Sequence, residues 1–245
     1  MIINFKLKND KTEIKLINSN KVFYPTETTR YLLNSTIKKI NKNKKLEILD
    51  LGCGNGVIGI FLLKKFKKIK RMTFSDISVN ATKLTKKNLK LNKINPKKYQ
   101  IIKSNQFQNL TNKKFDIIIN DVSGISSKIA KMTNWFKNVP CNSGIDGTKL
   151  TVPILTNSVG HLNNNGFFIF PIISFSNEKK IIKLIKKLKL NCDILSINRW
   201  PVPKILYKHL ERLKLLKKDK IINFELKYNL IIANTKILLL KQKNK

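Results

Sequence analysis

The stretch I-L-D-L-G-C-G-N-G-V-I-G-I, residues 48–60, decides the fold of this 245-residue chain. An apolar run ends at Asp50-Leu51, glycines occupy alternate positions from Gly52 to Gly56, and an apolar helical pattern begins at Val57. This order predicts a strand, a tight turn and the start of a helix. Because glycine has no Cβ, a ligand can lie against the backbone of such a turn. The unpaired N–H groups at the helix start point toward the same place, so the stretch predicts a site for a nucleoside-bearing cofactor.

Two cofactor types fit these glycines. From Gly54 to Gly59 the chain spells G-x-G-x-x-G, the dinucleotide fingerprint, but its first glycine comes three residues after Leu51. The alternate glycines begin directly after the strand, and Asp50 stands two residues before the first of them. That pattern resembles motif I of the class I S-adenosylmethionine-dependent methyltransferases. S-adenosyl-L-methionine is therefore the expected cofactor, with an NAD-type dehydrogenase and a ligand-free glycine turn as the alternatives.

The second and third predicted strands end in polar residues that suit a nucleoside. Asp76 follows the glycines at the distance where a carboxylate can accept both ribose hydroxyls, although an Asp before a helix can also be an N-cap. Ser78 is the better candidate for that N-cap, and Asn105 offers a donor and an acceptor to the adenine edge or is a plain loop residue. The predicted cofactor-binding residues are Asp50, Gly52, Cys53, Gly54, Asn55, Gly56, Asp76, Ile77, Asn105 and Asn120.

Strand and helix patterns alternate from residue 46 onward, which predicts a parallel sheet covered by helices on both faces. Together with motif I, this indicates an α/β, Rossmann-like class I methyltransferase sheet that is mostly parallel and has an antiparallel C-terminal strand. We expect residues 1–45 to form an N-terminal arm of a hairpin and a helix. Residues 46–245 are then the cofactor-binding domain, with 200–223 as an insertion or substrate-side element.

A narrower resemblance rests on V-F-Y-P-T-E-T-T-R-Y-L-L (22–33), on S-D-I-S-V-N-A-T (75–82) and on F-D-I-I-I-N (115–120). These segments resemble the HemK/PrmC-type methyltransferases, which methylate glutamine or related planar amides and amines. The resemblance implies that Asn120 is catalytic, and we expect Pro25, Glu27, Thr29 and Ser123 on the substrate side. Asp121 departs from the family's motif, and its free carboxylate is either a second catalytic residue, a general base, or a solvated loop acid. The family's N-P-P-Y motif is replaced by Asn120-Asp121-Val122-Ser123, so the amide acceptor is kept and the aromatic platform is lost.

This departure leaves several functions open. The first is N-methylation of a protein glutamine or similar amide, with Asn120 accepting a hydrogen bond from the target nitrogen. The second is N-methylation of an RNA or DNA base. The third is O- or S-methylation with Asp121 as general base, and the fourth is a catalytically inactive cofactor-binding subunit.

The composition limits which binding partners and which cellular compartment we expect. The formal charge of +36 would attract nucleic acid, but Lys, Asn and Ile all have A/T-rich codons, so biased codon usage also explains it. We therefore expect a macromolecular substrate, with protein favoured over nucleic acid. Three widely spaced cysteines, two histidines and no secretory signal or spanning segment predict a reducing, cytoplasmic location, no metal site and no membrane partner.

Overall fold

The computed structural model describes residues 1–122, 124–133, 135–136, 139 and 141–243. It divides into two compact units. Unit 1 comprises Met1–Asp121 and Asn157–Phe170, and unit 2 comprises Val122–Thr156 and Pro171–Lys245. No helix in the described ranges is long and apolar enough to cross a membrane.

Unit 1 begins with the predicted hairpin and helix. Strands β1 (Ile2–Lys6) and β2 (Glu13–Ile17) pair antiparallel. Helix α1 (Glu27–Lys39) starts at the N-cap Thr26, where a reciprocal capping box joins the Thr26 side chain to the backbone of Thr29 and the Thr29 side chain to the backbone of Thr26. The box satisfies backbone N–H groups that the first turn would otherwise leave unpaired, and it fixes the start of the helix.

Five parallel strands form the sheet of unit 1, in the order β5-β4-β3-β6-β7. Their inner members are buried on both faces, as continuous apolar runs in parallel sheets require. Glycine brings helix and sheet close together, because a Cβ at Gly59 would lie 2.3 Å from the Phe74 ring. The elements are β3 (Leu46–Leu51), α2 (Val57–Lys65), β4 (Ile69–Asp76), α3 (Val79–Leu91), β5 (Tyr99–Lys103), β6 (Phe115–Asn120) and β7 (Leu162–Ile173).

The hairpin is held against α3 by two asparagines one helical turn apart. The Asn88 and Asn92 side chains accept hydrogen bonds from the backbone N–H groups of Ile17 and Lys15, at 2.7 and 2.9 Å. Their amide nitrogens donate to the carbonyl oxygens of the same two residues. The asparagines thus pair with the backbone of β2 much as a neighbouring strand would, and both are buried at that contact.

Unit 2 contains short helices and an antiparallel group of strands. Strand β10 pairs antiparallel with β8 and with β9, and it lies beside β7, whose last residues belong to this unit. A core that includes Phe175, Leu206 and Leu213 fills the unit. The elements are α4 (Ser127–Ala130), α5 (Thr151–Ser158), α6 (Glu178–Lys187), β8 (Leu190–Pro201), α7 (Leu210–Lys218), β9 (Glu225–Lys227) and β10 (Leu230–Gln242).

The structure confirms the mostly parallel sheet with an antiparallel C-terminal strand and corrects two details of the sequence pattern. The apolar runs 225–232 and 235–240 predict two separate strands, and this prediction is wrong because the chain turns at Tyr228 and Asn229 and then continues as one long strand, β10. Both turn residues have positive φ, 50° and 58°, as a two-residue hairpin turn requires. The sequence pattern also predicts a helix over 148–162, which is too long, because α5 ends at Ser158 and a 3₁₀ turn leads into β7.

Candidate active site

The glycine turn joins β3 to α2 and is fixed to the neighbouring strand. Gly52, Gly54 and Gly56 have φ values of 72°, 56° and 81°, a region that side chains other than glycine disfavour. The N–H groups of Gly52 and Cys53 donate to the carbonyl oxygen of Ser75 in β4, at 2.7 and 3.0 Å. The turn is therefore held in one conformation at the carboxyl end of the sheet, where ligands of open α/β sheets bind.

Gly56 and Gly54 are needed for different reasons. A Cβ at Gly56 would lie 2.9 Å from a methyl carbon of Thr85, so this glycine allows α3 to pack against the turn. A Cβ at Gly54 would meet only the Val22 side chain, at 3.8 Å. The space beside Gly54 is therefore open, as a cofactor lying against the backbone needs.

Helix α3 supports the turn from its other side. The Thr85 hydroxyl donates to the carbonyl oxygen of Gly54 at 2.9 Å, and the Asn88 amide donates to that of Asn55 at 2.9 Å. Sequence analysis missed both supporting residues. The sequence does contain a sign of this supporting role, because Thr85 and Asn88 are polar residues, three positions apart, on the face of α3 that the helical pattern buries.

Cys53 and Asn55 are both buried in the turn. The Cys53 sulfur lies 3.6 Å from the Thr85 hydroxyl, and burial and the nearby carboxylates of Asp50 and Asp76 raise the pKa of the thiol well above its usual value. The Asn55 side chain accepts from Val57 N at 3.2 Å. Both side chains serve the local fold, so their backbone groups are the parts that remain for a cofactor.

Asp76 is bound at both carboxylate oxygens. One accepts from Gly54 N at 2.9 Å and the other from Ser78 N at 2.8 Å. Ser78 is the N-cap of α3, as predicted, since its hydroxyl accepts from Ala81 N. A carboxylate has about four acceptor positions. Asp76 can therefore accept both hydroxyls of a ribose while it keeps the glycine turn in place.

Ile77 and Asn105 are exposed beside Asp76. Ile77 has 57% of its surface exposed, unusually high for a large apolar residue next to a buried strand. Asn105 follows Ser104, whose backbone N–H donates to the carbonyl oxygen of Asp76 at 2.9 Å, so the two loops lie together. An apolar side chain and an exposed amide at this point fit the faces and the edge of an adenine.

Asp50 is only 2% exposed, and one of its oxygens accepts from Gly59 N, inside α2, at 3.0 Å. Burial, followed by the charges of Asp121 and Asp76, raises the pKa of Asp50 to about 7. The carboxylates of Asp50, Asp76 and Asp121 lie at the ends of β3, β4 and β6, close enough for the charges of the other two to raise the pKa of Asp50. The site favours a positively charged ligand, which would stabilise their ionised forms.

Asn120 and Asp121 follow β6 at the same edge of the sheet. Asn120 is 3% exposed, and its amide nitrogen donates to the carbonyl oxygen of Leu51 at 2.9 Å. This bond fixes the side chain and leaves Oδ1 as its acceptor atom. Asp121 accepts a hydrogen bond of 2.6 Å from the Thr29 hydroxyl, and burial raises the pKa of Asp121 to about 6 against the opposing effect of that bond.

The structure brings one of the predicted substrate-side residues to Asp121 and does not bring the carboxylate of another there. Thr29 is brought to Asp121, and Pro25 is buried just before the N-cap of α1. Glu27 is exposed and pairs with Arg30 at 3.1 Å, so the structure does not bring its carboxylate to Asp121. Ser123 lies outside the described residues. In the part of the chain that the structure describes, no group of three or more His, Cys, Asp or Glu residues is placed to hold a metal ion.

Comparisons with known proteins agree with this geometry. Residues 13–121 match the family model of the methyltransferase small domain. A putative protein N5-glutamine methyltransferase of Methanocaldococcus jannaschii is 28% identical over 181 residues, which are 74% of this chain and 87% of that protein. The release factor glutamine methyltransferase of Borreliella burgdorferi is 31% identical over 152 residues, 60% of this chain and 52% of that protein.

A solved structure shows the same fold. The T. thermophilus 16S rRNA N2 G1207 methyltransferase, in complex with AdoMet and guanosine, superposes with a TM-score of 0.62 and 14% identity, covering 99% of this chain and 50% of that one. This superposition covers residues beyond 13–121 as well, and at 14% identity it shows a shared fold. With the glycine turn, the bound Asp76 and the matched domain taken together, the chain carries a methyltransferase small domain over residues 13–121, has a Rossmann-like methyltransferase fold and is an S-adenosylmethionine-dependent methyltransferase.

Proposed function

We propose that this enzyme methylates a side-chain amide nitrogen, with a protein glutamine as the acceptor. The observation that carries the proposal is Asn120, a buried amide at the end of β6 whose nitrogen is bound to Leu51 and whose oxygen can accept. An amide nitrogen is a poor nucleophile, and an acceptor for its N–H localises its lone pair. The two relatives named as glutamine methyltransferases support the same acceptor.

In this proposal the glycine turn and Asp76 bind the cofactor. The open side of Gly54 receives the nucleoside, Asp76 accepts the ribose hydroxyls, and Ile77 and Asn105 contact the adenine. The cofactor supplies a methyl group already activated by a sulfonium. The protein then has to align the acceptor nitrogen with that methyl group and exclude water.

The carboxylates match the charge of this cofactor. A sulfonium, an ammonium and a carboxylate give S-adenosylmethionine a net charge of +1, whereas the demethylated product is neutral overall. A pKa of about 7 for Asp50 and about 6 for Asp121 shows that burial opposes their ionisation. A positive ligand offsets that cost, so the site is expected to prefer the cofactor at a pH where both residues are ionised.

Asp121 favours a second candidate function, O- or S-methylation. A buried carboxylate with a pKa near 6 is a stronger base than an ordinary Asp, and a base is needed to take the proton from a hydroxyl or thiol. The 2.6 Å bond from Thr29 argues for the first function, because it occupies one oxygen of Asp121 and ties the carboxylate to the N-terminus of α1. In that role Asp121 positions the helix rather than accepting a proton.

The test is transfer of a tritiated methyl group from S-adenosylmethionine into a cell lysate, followed by separation with protease and nuclease. Acid hydrolysis of an N-methylated amide releases volatile methylamine, whereas methyl ethers and thioethers keep their label on the amino acid. Protease-sensitive label that is released as methylamine is the expected result. Nuclease-sensitive label would replace the proposal with base methylation, and cofactor binding without any transfer would make the chain an inactive subunit.

A further inference from the structure

A single buried side chain joins the N-terminal hairpin to the glycine turn. Asn88, in α3, is 0% exposed, and its Oδ1 accepts from Ile17 N in β2 at 2.7 Å. Its amide nitrogen donates to the carbonyl oxygens of Ile17 and Asn55, at 3.4 and 2.9 Å. An amide nitrogen has two N–H donors, so the hairpin uses one donor of Asn88 and the glycine turn uses the other.

These partners allow only one orientation of the Asn88 amide. A half-turn of the amide would bring its NH₂ group against the N–H of Ile17. It would also bring Oδ1 against the carbonyl oxygens of Ile17 and Asn55. The side chain is buried, so water does not replace the lost bonds, and each of the two contacts keeps the amide in the orientation that the other requires.

On the side of the turn, Asn88 fixes one peptide group. The carbonyl oxygen of Asn55 accepts from Asn88, and the N–H of the same peptide, on Gly56, donates to the carbonyl oxygen of Cys53 at 2.8 Å. Because a peptide group is planar, bonds at both of its ends fix its plane. This peptide lies between Gly54, whose open side we assign to the cofactor, and the first turn of α2.

On the side of the hairpin, Asn88 acts together with Asn92. A two-stranded hairpin is marginally stable by itself, so the order of β1 and β2 depends on what they pack against. Asn92 binds Lys15 as Asn88 binds Ile17, accepting from its N–H at 2.9 Å and donating to its carbonyl oxygen at 2.6 Å. The amide nitrogen of Asn92 also donates to the backbone of Asn88 and not to the glycine turn. The two asparagines therefore differ in one contact, the bond to Asn55.

We propose that Asn88 is a positioning residue for the cofactor turn and that it couples the order of the hairpin to the binding of S-adenosylmethionine. While the hairpin is docked, Ile17 holds the amide where it donates to Asn55. When the hairpin undocks, the amide loses two of its three bonds and rotates freely, and the turn loses a fixed support. Coupling between two equilibria is reciprocal, so binding of the cofactor must also stabilise the docked hairpin. The proposal rests on the assignment of the cofactor to the glycine turn and not on the identity of the methyl acceptor.

The first test compares Asn88→Ala with Asn92→Ala. Each variant removes two bonds to the backbone of β2, so both should lower the melting temperature by similar amounts. Only Asn88→Ala removes the bond to Asn55. Its dissociation constant for S-adenosylmethionine, measured by titration calorimetry, should rise roughly 3- to 10-fold, the range for one hydrogen bond between neutral groups. Asn92→Ala should stay within about twofold of the wild type, because Asn88 still fixes the turn.

Hydrogen exchange gives a second readout, which needs no methyl transfer. Saturating S-adenosylmethionine should slow the exchange of the β1 and β2 amides in the wild type and in Asn92→Ala, and it should not slow them in Asn88→Ala. General stabilisation by the ligand would slow this exchange in both variants. The amides of the β9–β10 hairpin, in unit 2, serve as the control for that general effect.

Equal rises of the dissociation constant in the two variants would show that affinity follows overall stability, and they would overturn the proposal. Unchanged affinity in Asn88→Ala, together with weaker binding in Asp76→Ala, would overturn the coupling and leave the cofactor assignment intact. Unchanged affinity in both would overturn the assignment on which the coupling rests. If Asn88→Ala does not fold, exchange in the wild type decides, and protection by the cofactor that is confined to residues 52–57 and does not reach the hairpin would refute the coupling.

Discussion

Replacing Asp76 with alanine tests the cofactor site most directly. The carboxylate accepts from Gly54 N at 2.9 Å and Ser78 N at 2.8 Å, and we assign its remaining acceptor positions to the ribose hydroxyls. Each hydrogen bond to a charged group contributes about 1.5–3 kcal/mol, so the loss of even one ribose bond should raise the dissociation constant for S-adenosylmethionine roughly 10- to 150-fold, and Asp76→Ala should weaken binding at least that much. Titration calorimetry measures this change, and a melting curve shows that the fold persists.

A weaker complex alone does not distinguish a lost ribose contact from a loosened glycine turn, since Gly54 N also loses its acceptor. A 2′-deoxy analogue of the cofactor separates the two causes. In the wild type, removal of the hydroxyl should cost about as much as one hydrogen bond to a charged group, about 1.5–3 kcal/mol. In Asp76→Ala the same removal should cost little, because its partner is already gone.

Asp76→Asn is the matched control, because its amide oxygen can still accept from one of the two N–H groups while the charge is lost. It should bind more weakly than the wild type and more tightly than Asp76→Ala. The reasoning is refuted if the 2′-deoxy analogue loses the same affinity in Asp76→Ala as in the wild type. Asp76 would then act only on the turn and on the loop that leads to Ser78.

Four other changes give independent checks. Asn120→Ala should remove most turnover and leave cofactor affinity nearly intact, since its hydrogen bond serves the transition state; steady-state kinetics decide this. Asp121→Asn should have a modest effect under N-methylation, whereas a fall in rate of about 10²–10⁴-fold would establish a carboxylate base. The free protein should lose stability as pH rises from about 4 to 7, because Asp50, with its pKa raised to about 7, holds a proton in the folded state that it loses when unfolded; melting curves of Asp50→Asn should show a smaller loss, and the rest comes from the raised pKa values of Asp76 and Asp121. Asn92→Ala should destabilise the protein by about 1–3 kcal/mol in chemical denaturation, because it leaves backbone groups of Lys15 unpaired at a partly buried contact.

Much of the fold could be predicted from the sequence because parallel strands are buried on both faces. β3 and β6 begin and end where their apolar runs do, and the residues after them fall at one edge of the sheet. The β9–β10 turn could not be placed this way. Tyr228-Asn229 carries no glycine, and an Asn inside the pattern of β10, Asn234, looked like the break instead.

The conformation and position of residues in the candidate site were predictable where one residue type has one physical reason to stand there, whereas their roles in binding stay predictions. The alternate glycines and Asp76 are of this kind. The bond between Thr29 and Asp121 joins residues 92 positions apart, and neither residue type alone indicates the other. The supports from Thr85 and Asn88 were hidden for a different reason: their polar side chains look like ordinary interruptions of an amphipathic helix until the carbonyl oxygens they bind are known.

The acidic residues are the informative ones in a chain with 50 Lys and Arg and only 14 Asp and Glu. The A/T-rich codons of lysine offer one explanation of the many lysines, but they give no reason for Asp50, Asp76 and Asp121 to meet at the ends of three strands. Burial opposes the ionisation of all three by raising their pKa, so their arrangement costs the free protein stability. In a protein of net charge +36, the average charge of the surface disfavours a cationic cofactor. The three carboxylates oppose that field locally, which is the reason we propose this edge of the sheet as the binding place of the cofactor.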